Sequence, residues 1–227
     1  MQIIEIYKSL QGESSYAGLP CVFVRTAGCN LRCVWCDSEY TFTGGQRMTL
    51  DEVEREVRRL SPDGGLVEIT GGEPLLQEAE VVALMERLLA LGYTVLIETS
   101  GERLLEKVPQ AVVKIVDVKC PHSGERGTFR SENLHHLTPH DEVKFVLASR
   151  VDYEFARQFI REHELSGKVA AVILSPAFRK DASGGRDVSH CLLDPRELAE
   201  WMLADGLNAR LGLQIHKFIW EPSMKGV

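Results

Sequence analysis

Short apolar runs rich in β-branched residues alternate along this chain with amphipathic stretches of helical period, the pattern of an α/β protein with parallel strands. Strands are expected at Val22–Arg25, Leu66–Thr70, Thr94–Glu98, Val112–Asp117, Glu142–Leu147, Ala170–Leu174 and Arg210–Gln214. Between them, Thr49 followed by Glu52 forms a capping-box signature that opens a helix running to Leu60. Further helices are expected at Gln77–Leu91, ending at Gly92, at Asp152–Glu164, and at Asp194–Asp205 with Pro195 in its first turn. These units are fewer than the eight that close a parallel barrel of about 250 residues. A partial, open parallel β/α barrel is therefore expected, as a single domain over residues 1–227 with an N-terminal segment ahead of the first parallel strand.

In such sheets the chemistry collects at the carboxyl ends of the strands. Polar groups appear there as each apolar run finishes. Thr70-Gly71-Gly72-Glu73-Pro74 follows one strand, with glycines that let backbone approach a ligand and a carboxylate that can accept from an ammonium group. Glu98-Thr99-Ser100-Gly101 and Asp117-Val118-Lys119-Cys120-Pro121 end the next two, and Lys119 is a cation suited to a carboxylate. Caps and turns account equally well for Ser100 and Gly101. Leu174-Ser175-Pro176 and Gln214-Ile215-His216-Lys217 repeat the arrangement, with His216 read as a structural histidine.

Composition adds bounds rather than function. Hydrophobic residues make up 44% and charged residues 26%, as in ordinary globular proteins. A net charge of -7 speaks against a broad nucleic-acid surface. No stretch approaches the roughly 18 apolar residues of a membrane span, and the N-terminus lacks the basic and apolar regions of a signal peptide. A cytoplasmic protein is expected. The glycine- and charge-rich stretch Phe178–His190 reads as a mobile surface loop, with a lid as its functional alternative.

The six cysteines change the picture. Cys21 lies in an apolar run, and Cys120 and Cys191 stand apart, but Cys29, Cys33 and Cys36 fall in one C-x3-C-x2-C loop. Thiolates this close can converge on a soft metal centre, and iron–sulfur clusters are held by cysteine sulfur. Three ligands leave one iron open to a small molecule. Structural zinc and plain buried cysteines are the bland alternatives. Trp35 inside the loop adds an aromatic shield, and Asp37-Ser38-Glu39-Tyr40 adds oxygen donors.

This loop, with an aromatic before its third cysteine, resembles that of the radical S-adenosylmethionine superfamily. The resemblance implies a 4Fe-4S cluster on Cys29, Cys33 and Cys36, with the cofactor's methionyl group on the open iron and a deoxyadenosyl radical as the reagent. It implies cofactor contacts at Trp35, Asp37, Gly71, Gly72, Glu73, Ser100, Asp117, Val118 and Lys119. The polar island Ser9-Leu10-Gln11-Gly12-Glu13, with Arg25 and the Cys36-Asp37-Ser38 run, narrows the likeness to the 7-carboxy-7-deazaguanine synthase family, nearly end to end. That likeness implies a lyase acting on 6-carboxy-5,6,7,8-tetrahydropterin in queuosine and 7-deazapurine biosynthesis. Leu10, Gln11, Gly12, Glu13, Arg25 and Thr70 would contact substrate, Arg25 through its carboxylate, and Ser38 would bind Mg2+ where many relatives have threonine. Asp117-Val118 departs from the Ser-Pro often found before the lysine. A homodimer served by an external one-electron reductant such as flavodoxin is also implied. A glycyl-radical-enzyme activase shares the cysteine loop but has no need of Gln11, Glu13 or Arg25; an iron–sulfur electron carrier would not cleave S-adenosylmethionine.

Overall fold

The computed structural model describes residues 1–180, 187–221 and 224–226. In chain order its elements are β1 (Gln2–Leu10), β2 (Pro20–Thr26), β3 (Gln46–Arg47), α1 (Leu50–Leu60), β4 (Leu66–Gly71), α2 (Glu78–Ala90), β5 (Thr94–Thr99) and β6 (Val113–Asp117). There follow β7 (Glu142–Leu147), α3 (Arg150–Glu162), α4 (Leu165–Lys168), β8 (Ala171–Pro176), α5 (Pro195–Ala204), β9 (Arg210–Leu211) and α6 (His216–Ile219). One sheet runs β3-β1-β2-β4-β5-β6-β7-β8-β9. Every pairing from β2 to β9 is parallel, and β1 and β3 add antiparallel strands at one edge. The two edges do not pair, so the barrel is open.

Period-two alternation sorts the strands into two faces. Val24, Ile69, Ile97, Val116, Phe145 and Leu174 point outward, where Val53 and Val57 of α1, Leu84 and Leu88 of α2 and Ala156 of α3 cover them. Val53 and Val57 lie one turn apart and are fully buried, each worth about 1.5–3 kcal/mol of apolar transfer. The capping box of α1 is formed, Thr49 N–H donating to Glu52 Oε2 at 2.7 Å and Glu52 N–H to Thr49 Oγ1 at 3.3 Å. On the inner face Cys21, Phe23, Leu66, Leu96, Val113 and Ile115 make an apolar patch with Tyr7 and Tyr16. Toward the carboxyl ends the same face turns polar, through Arg25, Glu68, Thr70, Glu98, Asp117 and Lys144.

The structure departs from the expected elements at the first strand and at the last. Gln2–Leu10 is a nine-residue strand, where only the flank of a polar island was expected. Its register shifts between Ile3 and Glu5, which breaks the alternation that identifies a strand. The β6–β7 connection carries 3-10 turns at Pro121–Ser123 and Ser131–His135, and the β5–β6 connection has no helix. β9 is only Arg210–Leu211, shorter than the Arg210–Gln214 expected, although Gly212 still lies against β8 and donates its N–H to Leu174 O at 2.8 Å.

The connection from β1 to β2 leaves at the level of the strands' amino ends, where Leu10 pairs with Pro20. It then reaches across to β7, Ser15 N–H donating to Glu142 Oε1 at 3.1 Å. Residues 11–15 thereby floor the open barrel. At the base of the Phe178–His190 loop, Arg179 N–H donates to His190 O at 2.8 Å and Phe178 bridges to Cys191; residues 181–186 of that loop lie outside the described residues. Among the described residues no helix is long and apolar enough to cross a membrane.

Candidate active site

The thiol loop leaves β2 through Gly28, which adopts φ +94° and donates its N–H to Thr41 O at 2.7 Å. Gly28 O accepts from Glu73 N–H at 2.9 Å, pinning the loop to the turn after β4. That turn comes so close that a Cβ on Gly72 would lie 2.3 Å from Gly28 O and 2.6 Å from Cys29 Cβ. A Cβ on Gly71 would meet Thr26 Oγ1 at 2.3 Å. Both glycines are thus required by the approach of the thiol loop and β2, a different reason from the ligand approach expected of them. Val34 N–H donates to Ser123 O at 2.9 Å, and Arg32 donates to Cys29 O at 2.8 Å while its guanidinium stacks 4.1 Å over Phe42.

Cys29, Cys33 and Cys36 are free and half-buried, with Trp35 between the last two. Burial pushes all three thiols up, Cys33 to about 11. Metal binding would deprotonate them. Among the described residues no three cysteine, histidine or acidic groups converge on a single ion. A cuboidal cluster asks something else, since each thiolate takes a different iron and the sulfurs stand apart around it. A soft three-thiol set on one pinned loop fits that group.

Glu73 is fully buried and its carboxylate is saturated. Oε1 accepts from Leu75 N–H at 3.1 Å and Thr99 Oγ1 at 2.8 Å, and Oε2 from Ser100 N–H at 2.9 Å and Ser100 Oγ at 2.7 Å. It ties the end of β4 to the end of β5 and fixes the turn between them. The Val118 side chain lies in the helix-side core and its N–H donates to Lys144 O at 2.9 Å. Lys119 pairs with Asp117 Oδ2 at 2.7 Å, while Asp117 Oδ1 is buried without a hydrogen-bond partner. Asn133, which sequence reading missed, pins the turn after β5 by donating to Gly101 O and Arg103 O, each at 2.8 Å.

Beneath these strand ends lies a buried polar network. Gln11 donates to Glu68, and its Oε1 accepts from Glu13 N–H at 2.8 Å. Glu13 Oε2 meets Lys144 Nζ at 2.7 Å and its Oε1 accepts from Gln214 Nε2 at 2.8 Å; Lys144 also pairs with Glu98. Desolvation works against the charge on Glu13, but Lys144 and then His216 prevail and hold it down to about 2. Glu68 goes the other way. Burial, with Glu98 and Glu13 alongside, raises it well above the carboxylate range and favours its protonated form. Glu68 and Lys144 were also missed, although each is a charge set in an apolar alternation, Leu66-Val67-Glu68-Ile69 and Val143-Lys144-Phe145.

The remaining expected residues fall around this network. Leu10 closes β1 half-buried, and Thr70 lies on the inner face at the end of β4. Arg25 Nε donates to Glu5 at 2.9 Å and Nη2 to Tyr7 Oη at 2.9 Å, while Tyr40 Oη donates to the same Glu5 at 2.7 Å. Ser38 Oγ donates to Asp37 Oδ1 at 3.0 Å, and Asp37 Oδ2 meets Lys217 Nζ at 2.6 Å.

A thiol loop on the first parallel strand of an open β/α barrel, pinned to a Gly-Gly-Glu-Pro turn, defines a radical S-adenosylmethionine domain, and residues 23–121 match the Radical SAM superfamily. QueE of Escherichia coli has the same fold, with a TM-score of 0.71 at 22% identity over 93% of each chain. The chain is 70% identical over 227 residues, all of both proteins, to the 7-carboxy-7-deazaguanine synthase of Koribacter versatilis. It is 41% identical over 230 residues to that of Chlorobaculum tepidum, covering 100% of this chain and 97% of the relative. It belongs to the 7-carboxy-7-deazaguanine synthase family, whose members are radical lyases with a 4Fe-4S cluster and S-adenosylmethionine.

Proposed function

We propose that this chain converts 6-carboxy-5,6,7,8-tetrahydropterin to 7-carboxy-7-deazaguanine with loss of ammonia, in queuosine and 7-deazapurine biosynthesis. The observation that carries the reading is identity of 70% along the whole chain, floor segment as well as thiol loop. When bound and reduced, the cluster supplies the electron that cleaves S-adenosylmethionine into methionine and the radical that takes hydrogen from the pterin. The protein's part is to bind, orient and exclude.

Cys29, Cys33 and Cys36 hold the cluster. The turn of Gly71 and Gly72, with Ser100, Trp35 and the Asp117–Lys119 pair, seats the cofactor above the inner face. Glu73 acts through that turn, fixing it between two strands. Arg25 takes the substrate carboxylate, which replaces Glu5 on a planar fork suited to two oxygens. Gln11, Gly12 and Glu13 with Thr70 bound the ring from the floor and wall. Departing ammonia needs a proton on nitrogen, and Glu68 is a buried wall carboxyl whose surroundings favour its protonated form.

Ser38 Oγ and the Asp37 carboxylate are adjacent hard oxygens, the donor chemistry Mg2+ takes alongside water and substrate oxygens. Mg2+ held there would orient the substrate carboxylate. A cytoplasmic location, a homodimer and an external one-electron reductant such as flavodoxin belong to the same proposal. Anaerobic reconstitution followed by mass spectrometry of the products from the carboxytetrahydropterin tests it.

A further inference from the structure

The floor of the barrel and the thiol loop are joined by one unbroken polar strut. It starts at Glu13 Oε1, which accepts from Gln214 Nε2 at 2.8 Å. Gln214 Oε1 accepts in turn from Lys217 Nζ at 2.8 Å, and the same ammonium meets Asp37 Oδ2 at 2.6 Å. Asp37 directly follows Cys36. A second link runs beside the first, Ile215 N–H donating to Gly12 O at 2.9 Å.

Lys217 is the middle of this strut and an unusual lysine. Only 4% of it is exposed, whereas lysine is almost never fully buried unless paired. Its ammonium has two oxygen acceptors, and the Phe178 ring centroid lies 5.1 Å away. Fastening a C-terminal segment to a floor would need no charge, and apolar packing would do it at lower desolvation cost. A buried cation instead fixes the distance between two specific oxygens, one on the residue after the third cysteine and one on the side chain that holds Glu13. A shift of Glu13 therefore changes the restraint on Asp37.

We propose that Lys217 is a positioning residue that couples occupancy of the substrate seat to the thiol loop, so that cleavage of S-adenosylmethionine is tied to bound pterin. The proposal rests on the reading of Glu13 as part of that seat. Coupling between sites in proteins usually amounts to about 5- to 150-fold. Losing it should raise the ratio of deoxyadenosine formed to deazaguanine product about tenfold, within that range.

The test compares wild type, Lys217→Met, Lys217→Arg and Asp37→Asn as reconstituted holoenzymes. Two quantities are read: the deoxyadenosine-to-product ratio, and hydrogen exchange of the Cys29–Ser38 segment with and without the carboxytetrahydropterin. Wild type should gain protection in that segment when the pterin binds. Lys217→Met and Asp37→Asn should both lose that gain and raise the ratio, and Lys217→Arg should restore them in part. Asp37 is well exposed, so its variant keeps the test sound if Lys217→Met fails to fold. Asp37→Asn that retains the wild-type ratio and the pterin-induced protection overturns the coupling, whatever Lys217→Met does. Wild type that leaves the pterin unchanged would instead overturn the substrate assignment.

Discussion

His216 occupies the space where a side chain on Gly12 would stand: a Cβ there would lie 2.0 Å from His216 Nδ1. The missing side chain lets the C-terminal segment seat on the floor, where Ile215 N–H reaches Gly12 O. Gly12→Ala should therefore displace that segment at a cost of about 1–3 kcal/mol, the usual penalty of overpacking. A lower melting temperature with a larger loss of pterin turnover than of S-adenosylmethionine cleavage is expected. Unchanged stability and turnover would show that the segment has room to move.

The relation between Gly12 and His216 also marks the limit of reading the chain. Each parallel strand and each major helix follows from local alternation, caps and breakers, and the thiol loop and Gly-Gly-Glu-Pro turn are contiguous in sequence. Partners at long separation are not legible this way. Glu13 and Lys144 stand 131 positions apart and Glu13 and Gln214 stand 201 apart, so nothing local pairs them. The same cause hides the partners of Glu73, a motif carboxylate whose hydroxyl donors Thr99 and Ser100 come from the end of the next strand. β1 was missed for a local reason, its bulge, and Glu68 because a charge within a hydrophobic run reads as noise until the inner face is known.

The ligand set is tested by substitution. Alanine at Cys29, Cys33 or Cys36 should abolish cluster assembly, measured as iron and sulfide per chain after anaerobic reconstitution, against about four irons for wild type. Cys21→Ala and Cys120→Ala should retain the metal, since both thiols are buried in apolar clusters. Retention of iron by Cys33→Ala would refute the assignment.

The buried carboxylates make opposite contributions to stability against pH. Glu68 holds its proton more tightly folded than unfolded, so the unfolded chain ionises first as pH rises past 4.5 and stability falls toward the raised folded value. Glu68→Gln should melt higher than wild type at about pH 8, with the gap closing below about pH 4.5. Glu13, lowered from 4.5 to about 2, contributes stability that is complete above 4.5 and lost as pH falls to about 2. Glu13→Gln should therefore melt lower than wild type at neutral pH. Thermal melts across pH check both signs.

Substrate recognition and radical generation should fail separately. Removing one partner of a buried carboxylate pair costs about 2–5 kcal/mol, some thirty- to several-thousand-fold in binding. Arg25→Ala should lose ring contraction while the reduced enzyme still cleaves S-adenosylmethionine. Glu73→Ala should lose both, because the donors of Leu75, Thr99 and Ser100 are left unpaired and the turn over Cys29 loosens. Assays of deoxyadenosine and deazaguanine product on the same samples distinguish the two failures.

The most direct measurement is single-turnover reaction of the reconstituted, reduced chain with 6-carboxy-5,6,7,8-tetrahydropterin, quantifying ammonia and 7-carboxy-7-deazaguanine together. Equal amounts of the two products, formed only when both S-adenosylmethionine and the pterin are present, are expected. Cleavage of S-adenosylmethionine with neither product, or with a radical appearing on a partner protein instead, would contradict the assigned reaction.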